Sequence, residues 1–194
     1  MDRSEMIKKL KPKITEKRFV HSIGVEYTAA SMAFVYGASV EKARIAGILH
    51  DNAKCIPTDE KLRKAEKFGL PISKSERKSP DLLHGKLGAY YARTKFDVTD
   101  EEILSAITWH TTGHPCMTLL DKIIFVADYI EPNRKMIKEL PEIRHEAMTD
   151  IDKAVMHILK NTLGYLETKN DSIDEMSRET YEYYLELYRG RDFD

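Results

Sequence analysis

Val40-Glu41-Lys42-Ala43-Arg44-Ile45-Ala46-Gly47-Ile48-Leu49-His50-Asp51-Asn52-Ala53-Lys54 places Ala43, Ala46 and Gly47 on one face of a helix. That spacing predicts a helix from about Val40 to Asp51, with Pro57 beyond it. His50 continues the same face, and Asp51, four residues after Gly47, shares it. An imidazole and a carboxylate therefore stand where a helical core expects apolar side chains.

The anomaly recurs along the chain. His21 stands one turn before the stripe Val25, Thr28, Ala29, Met32. His84 precedes Leu87, Gly88 and Tyr91, and His110 follows Ile103, Ala106 and Ile107. Asp128 follows Leu120 and Ile124 at spacings of four. Each group is directed inward by helical periodicity. One inward histidine is ordinarily a satisfied core residue. Two inward carboxylates, Asp51 and Asp128, need cationic partners or a metal.

The rest of the chain reads as helix too. Glu, Lys, Ala, Leu, Ile and Met dominate, and neither period-2 strands nor Asn-Gly or Asp-Gly hairpins occur. Helices are expected at about 3–10, from Thr15 as N-cap to Tyr36 with Gly37 as its stop, and at 59–68. Ser73 to Pro80 reads as a polar loop. Further helices are expected at 81–95, 100–110, 117–130, 140–147, 151–168 and 174–189, with Thr99 and Glu102 as a capping box. The fold class is all-α: a single helical bundle with its core at about 15–135 and a helical C-terminal extension at about 140–190.

The chain has 194 residues, with 31 Lys plus Arg against 32 Asp plus Glu, a net charge of −1. This balance argues against a nucleic-acid partner held by a general basic field. Cys55 and Cys116 are too few for a disulfide framework and read as reduced thiols. No apolar run reaches signal-peptide or membrane-spanning length. The expectation is a cytoplasmic protein with no membrane partner.

A shared metal site explains four inward histidines and two inward aspartates together. Imidazole and carboxylate suit iron, manganese, cobalt or zinc. The set exceeds one tetrahedral zinc and fits two metal ions with open positions, a carboxylate such as Asp51 bridging them. Paired metals about 3.5–4 Å apart generate hydroxide and clamp the oxygens of an in-line phosphoryl displacement. The expected chemistry is phosphoester or phosphoanhydride hydrolysis.

The order His21, His50-Asp51, Asp128 resembles the HD superfamily of metal-dependent phosphohydrolases, whose signature is H…HD…D on a helical core. Arg18-Phe19-Val20-His21-Ser22-Ile23-Gly24-Val25, His50-Asp51-x-x-Lys54, Leu83-His84-Gly85, His110-Thr111-Thr112-Gly113 and Val126-Ala127-Asp128-Tyr129-Ile130-Glu131-Pro132-Asn133-Arg134 follow in order. Together they are similar to the bacterial YqeK family. The resemblance implies symmetrical cleavage of diadenosine tetraphosphate to two ADP, an ADP- or GDP-like nucleotide product, and a dinuclear iron centre. It implies His21, His50, Asp51, His84, His110 and Asp128 as ligands, with Asp51 bridging.

Phosphate contacts are expected from Lys54, one turn beyond the His-Asp doublet, from Arg18, and from Arg134 in the turn after Asp128. Asp51 and Lys54 are the candidate catalytic pair. Thr111, Thr112 and Gly113 leave the His110 helix and can hold phosphate or ribose. The resemblance implies that Asn170, Asp171 and Ile173 border the nucleotide. Where family members often carry an Arg after the His-Thr-Thr-Gly block, this chain has His114. The tyrosine face of Tyr181, Tyr184 and Tyr188 is expected to pack on the core, a homodimer contact being the alternative. Alternative functions are another HD nucleotide phosphohydrolase, such as a nucleotidase or guanosine-alarmone hydrolase, and a non-catalytic nucleotide-binding regulator.

Overall fold

A computed structural model describes residues 1–168 and 174–191. These form α1 (Arg3–Leu10), α2 (Glu16–Tyr36), α3 (Val40–Leu49), α4 (Thr58–Lys67), α5 (Lys74–Lys78), α6 (His84–Lys95), α7 (Glu101–Trp109), α8 (Leu119–Ile130), α9 (Leu140–Thr149), α10 (Ile151–Thr168) and α11 (Glu175–Arg191). Short 3-10 turns cover Lys11–Lys13 and Pro80–Leu83. Among the described residues there is no strand, so the all-α expectation holds.

The inner layer is α2, α3, α7 and α8. Val25, Ala29 and Met32 of α2 meet Ala46 and Leu49 of α3, Ile107 of α7 and Ile124 and Ala127 of α8 in one buried core. Small residues set the spacing. A Cβ at Gly47 would lie 2.8 Å from the Cα of Glu26, so α3 rides directly on the α2 backbone. A Cβ at Gly85 would lie 2.4 Å from the Thr108 carbonyl oxygen, which fixes the α6–α7 contact. Glu26 is fully buried between α2 and α3 and is paired with Arg3 and Arg44. A burial of this kind needs such partners.

The outer elements complete the core. α10 packs against α8, α9 and α11. Tyr184 is buried there, and Tyr181 is half-buried beside it, so the tyrosine face covers the core. Ala53, Ala65, Leu83 and Leu87 form a smaller cluster under α4.

Four expectations are corrected. Ser73 to Pro80 is not a loop: Ser73 and Glu76 form a capping box that starts α5, and a 3-10 turn follows. The 81–95 helix therefore begins at His84. α7 is capped by Asp100, not Thr99, because the Asp100 carboxylate accepts from the backbone N–H groups of Glu102 and Ile103 at 3.0 and 3.4 Å. α3 ends at Leu49 rather than Asp51, and tight turns follow, with Asn52 donating to the Leu49 carbonyl and Lys54 to that of Asp51. This early end places the doublet on a turn, where two successive side chains can face one centre.

Candidate metal centre

His21 comes from α2, His50 and Asp51 from the end of α3, His84 from the start of α6, His110 from the end of α7 and Asp128 from α8. The close helix contacts at Gly47 and Gly85 bring the first two pairs of elements together. All four histidines are buried. Each has its Nδ1 anchored behind it. His50 Nδ1 donates to the Gly47 carbonyl at 2.7 Å, His84 Nδ1 to that of Asp81 at 2.6 Å, and His110 Nδ1 to that of Ile107 at 2.8 Å. A carbonyl only accepts, so Nδ1 carries the hydrogen and Nε2 offers its lone pair to the centre.

The Nε2 atoms fall into two pairs: His21 with His50 at 3.3 Å, and His84 with His110 at 3.0 Å. The Asp51 carboxylate is divided between them. Its Oδ1 lies 3.4 and 3.5 Å from His84 and His110, and its Oδ2 lies 3.4 and 3.8 Å from His50 and His21. Asp128 Oδ1 completes the first group, 2.9 Å from His21 and 3.7 Å from His50.

Two observations test whether this donor set fits a cation. Asp51 Oδ1 is buried and has no hydrogen-bond partner, an arrangement that is destabilising unless something else fills it. The facing imidazole lone pairs pose the same demand. Burial would raise the Asp51 pKa, yet the surrounding His50, His110 and His84 imidazoles hold it well below the ordinary carboxylate range. Burial likewise opposes the Asp128 charge, but His21 and Arg134 keep its pKa strongly lowered. Burial, with His110 and Lys54 near, pushes His84 down to about 3. Two fixed carboxylates and a neutral imidazole are what divalent metal binding requires.

The expected phosphate ligands divide into groups. Arg18 Nη1 donates to Asp51 Oδ2 at 2.6 Å, and Arg134 Nη2 to Asp128 Oδ1 at 2.5 Å. Both guanidinium groups are therefore at the centre, partly exposed. Thr111 Oγ1 is 3.1 Å from His84 Nε2. Thr112 turns back to the Gly113 carbonyl, and Gly113 adopts a left-handed φ of 63°. Lys54 is instead paired with Asp81 at 3.0 Å, beside the buried Lys61. His114 lies 3.3 Å from Asp121, whose carboxylate also caps α8, and is not directed at the histidines. Asn170, Asp171 and Ile173 lie outside the described residues.

A cleft of about 140 Å³ opens beside Thr111, lined also by Thr108, Trp109, Thr112, Ser75 and Met176. Its wall residue Trp109 lies beside His110 but off the histidine face, as its sequence position implies. Sequence reading gave no role to Glu131, whose Oε1 is 3.0 Å from His21 Nδ1. Glu131 is the C-cap of α8, one position past the reach of helical periodicity.

Helical histidines and aspartates arranged in this way define a class. The HD domain model matches residues 18–133, and the chain belongs to the HD domain family. It is 41% identical over 173 residues to a protein of Bacillus subtilis (strain 168) named bis(5'-nucleosyl)-tetraphosphatase, symmetrical, covering 89% of this chain and 92% of that one. A protein of the same name from Halalkalibacterium halodurans is 41% identical over 181 residues, covering 93% and 96%. A crystal structure from Clostridium acetobutylicum, described as a predicted HD superfamily hydrolase involved in NAD metabolism, superposes with a TM-score of 0.93 at 35% identity, covering 96% and 98%. Within the HD family the chain is a hydrolase of the YqeK family.

Proposed function

We propose that the chain hydrolyses diadenosine tetraphosphate symmetrically to two ADP at a centre of two metal ions, iron being the expected native metal. The observation that carries this reading is the division of the Asp51 carboxylate between two histidine pairs. His21, His50, Asp51 and Asp128 would hold one ion, and Asp51, His84 and His110 the other. When bound, such a pair supplies Lewis acidity and an activated water.

The chain's own residues do the rest. Arg18 and Arg134, already seated on the two carboxylates, present charge-assisted donors to a polyphosphate and offset charge that builds on its oxygens. Thr111 offers a hydroxyl beside His84. The cleft with Trp109 adjoins it and has room for a base-sized group. Lys54, paired with Asp81, keeps further ammonium donors for a phosphate. Water oxygen bonds to one inner phosphorus, the central P–O–P bridge breaks, and the leaving ADP keeps the bond's electron pair.

The discriminating experiment compares substrates side by side: diadenosine tetraphosphate, a guanosine alarmone and nucleoside monophosphates, with anaerobically Fe(II)-loaded protein. Preferential turnover of the tetraphosphate supports the proposal. Preferential turnover of another substrate moves the chain to that HD activity. Tight nucleotide binding without product makes it a regulator.

A further inference from the structure

The two halves of the centre are anchored differently from behind. Three of the four histidines place Nδ1 on a neutral backbone carbonyl. His21 alone places Nδ1 on a carboxylate, Glu131 Oε1, at 3.0 Å. Glu131 is buried, and its Oε2 accepts from the Asn133 backbone N–H at 2.7 Å and from the Asn133 amide at 3.0 Å. The carboxylate is thus locked in place against His21. The helix is shaped to admit it: a Cβ at Gly24, one turn after His21, would lie 2.3 Å from Glu131 Oε2.

From this we infer that Glu131 is a positioning residue that makes the His21–His50–Asp128 half the tighter and first-filled metal subsite, leaving the His84–His110 half as the weaker one. A carboxylate behind an imidazole fixes its tautomer and ring orientation and raises its basicity as a ligand. The His21 half also has the Asp128 carboxylate to itself, whereas the His84–His110 half has only its share of Asp51. Arg134 and Arg18 sit on the Asp128 and Asp51 oxygens of that half and offset part of their charge, so Glu131, held by Asn133 instead, carries the difference between the two halves. This inference rests on the two-metal reading above.

The test is calorimetric titration of the chelated, full-length protein with Mn(II), which reads binding rather than turnover. Wild type is expected to take up two ions in separated events. Glu131→Gln is expected to weaken the tighter event about 10- to 100-fold and leave the weaker one unchanged. Asn133→Ala, which removes the side-chain amide from Oε2 but keeps the backbone N–H on it, should shift the same event in the same direction by less. Glu131→Asp should recover part of the loss. Equal weakening of both events, or no change in either, overturns the role assigned to Glu131. If wild type binds a single ion or none, the two-metal reading itself fails, and this inference fails with it.

Discussion

Gly85→Ala tests how the helix packing builds the centre. The added Cβ would sit 2.4 Å from the Thr108 carbonyl oxygen, where an unstrained contact needs roughly 3.4 Å or more. The neighbour is backbone, so α6 and α7 must separate by about 1 Å rather than a side chain turning aside. Gly85 is next to His84, and Thr108 is two residues before His110, whose Nε2 atoms lie 3.0 Å apart. The separation therefore falls on that histidine pair. Overpacking of this kind costs about 1–3 kcal/mol, and alanine's better helix propensity offsets up to about 1 kcal/mol of it. The net loss of stability is about 0–2 kcal/mol. The effect on turnover is larger, because a 1 Å misplacement costs about 100-fold. Steady-state hydrolysis of diadenosine tetraphosphate and urea denaturation of the same preparations provide the assay. Gly164→Ala is the control: Gly164 is exposed in α10 and a Cβ there meets nothing, so it should stabilise by about 0.5–1 kcal/mol without altering turnover. A Gly85→Ala protein with wild-type turnover would refute the claim that this close approach positions His84 and His110.

Asp51→Asn is expected to reduce bound metal, measured by elemental analysis, and to lower turnover by more than the about 10- to 100-fold typical of an outer ligand partner. Arg18→Ala and Arg134→Ala should each lower kcat/KM about 10- to 100-fold, the range of one lost charge-assisted hydrogen bond, and Arg134→Lys should recover little because the fork geometry is lost. Metal-free protein should lose stability as pH falls below about 6.5. The folded-state pKa of His84 is about 3 against an ordinary 6.5, so the unfolded chain binds the extra proton between those values. By pH 5 the loss is about 2 kcal/mol, readable as a lower urea midpoint than at pH 7.5; an unchanged midpoint would contradict a buried, neutral His84. The lowered Asp51 and Asp128 values add to this only further down, within and below the carboxylate range.

The residues that sequence reading brought together were those that helical periodicity governs. His21, His50, His84, His110 and Asp128 interrupt apolar stripes, and a stripe has one inward direction. Glu131 follows the last residue of α8, so no periodicity reports its direction; its meeting with His21 spans 110 positions. The Lys54–Asp81 pair likewise joins residues 27 apart, and no local pattern encodes it. α5 carried its signal in Ser73 and Glu76, but the residues between and after them are polar, so the capping box had no apolar run to announce. At α7, Thr99 and Asp100 are both capping residue types, and only the backbone geometry selects Asp100, whose carboxylate reaches two N–H groups.

The most direct test of the central claim is hydrolysis of diadenosine tetraphosphate in ¹⁸O-labelled water by anaerobically Fe(II)-loaded protein, with products resolved by mass spectrometry. Attack on an inner phosphorus requires ADP as the sole product, one ADP of each pair carrying a single ¹⁸O on its β-phosphate. ATP with AMP, with the label on either one, would contradict symmetrical cleavage.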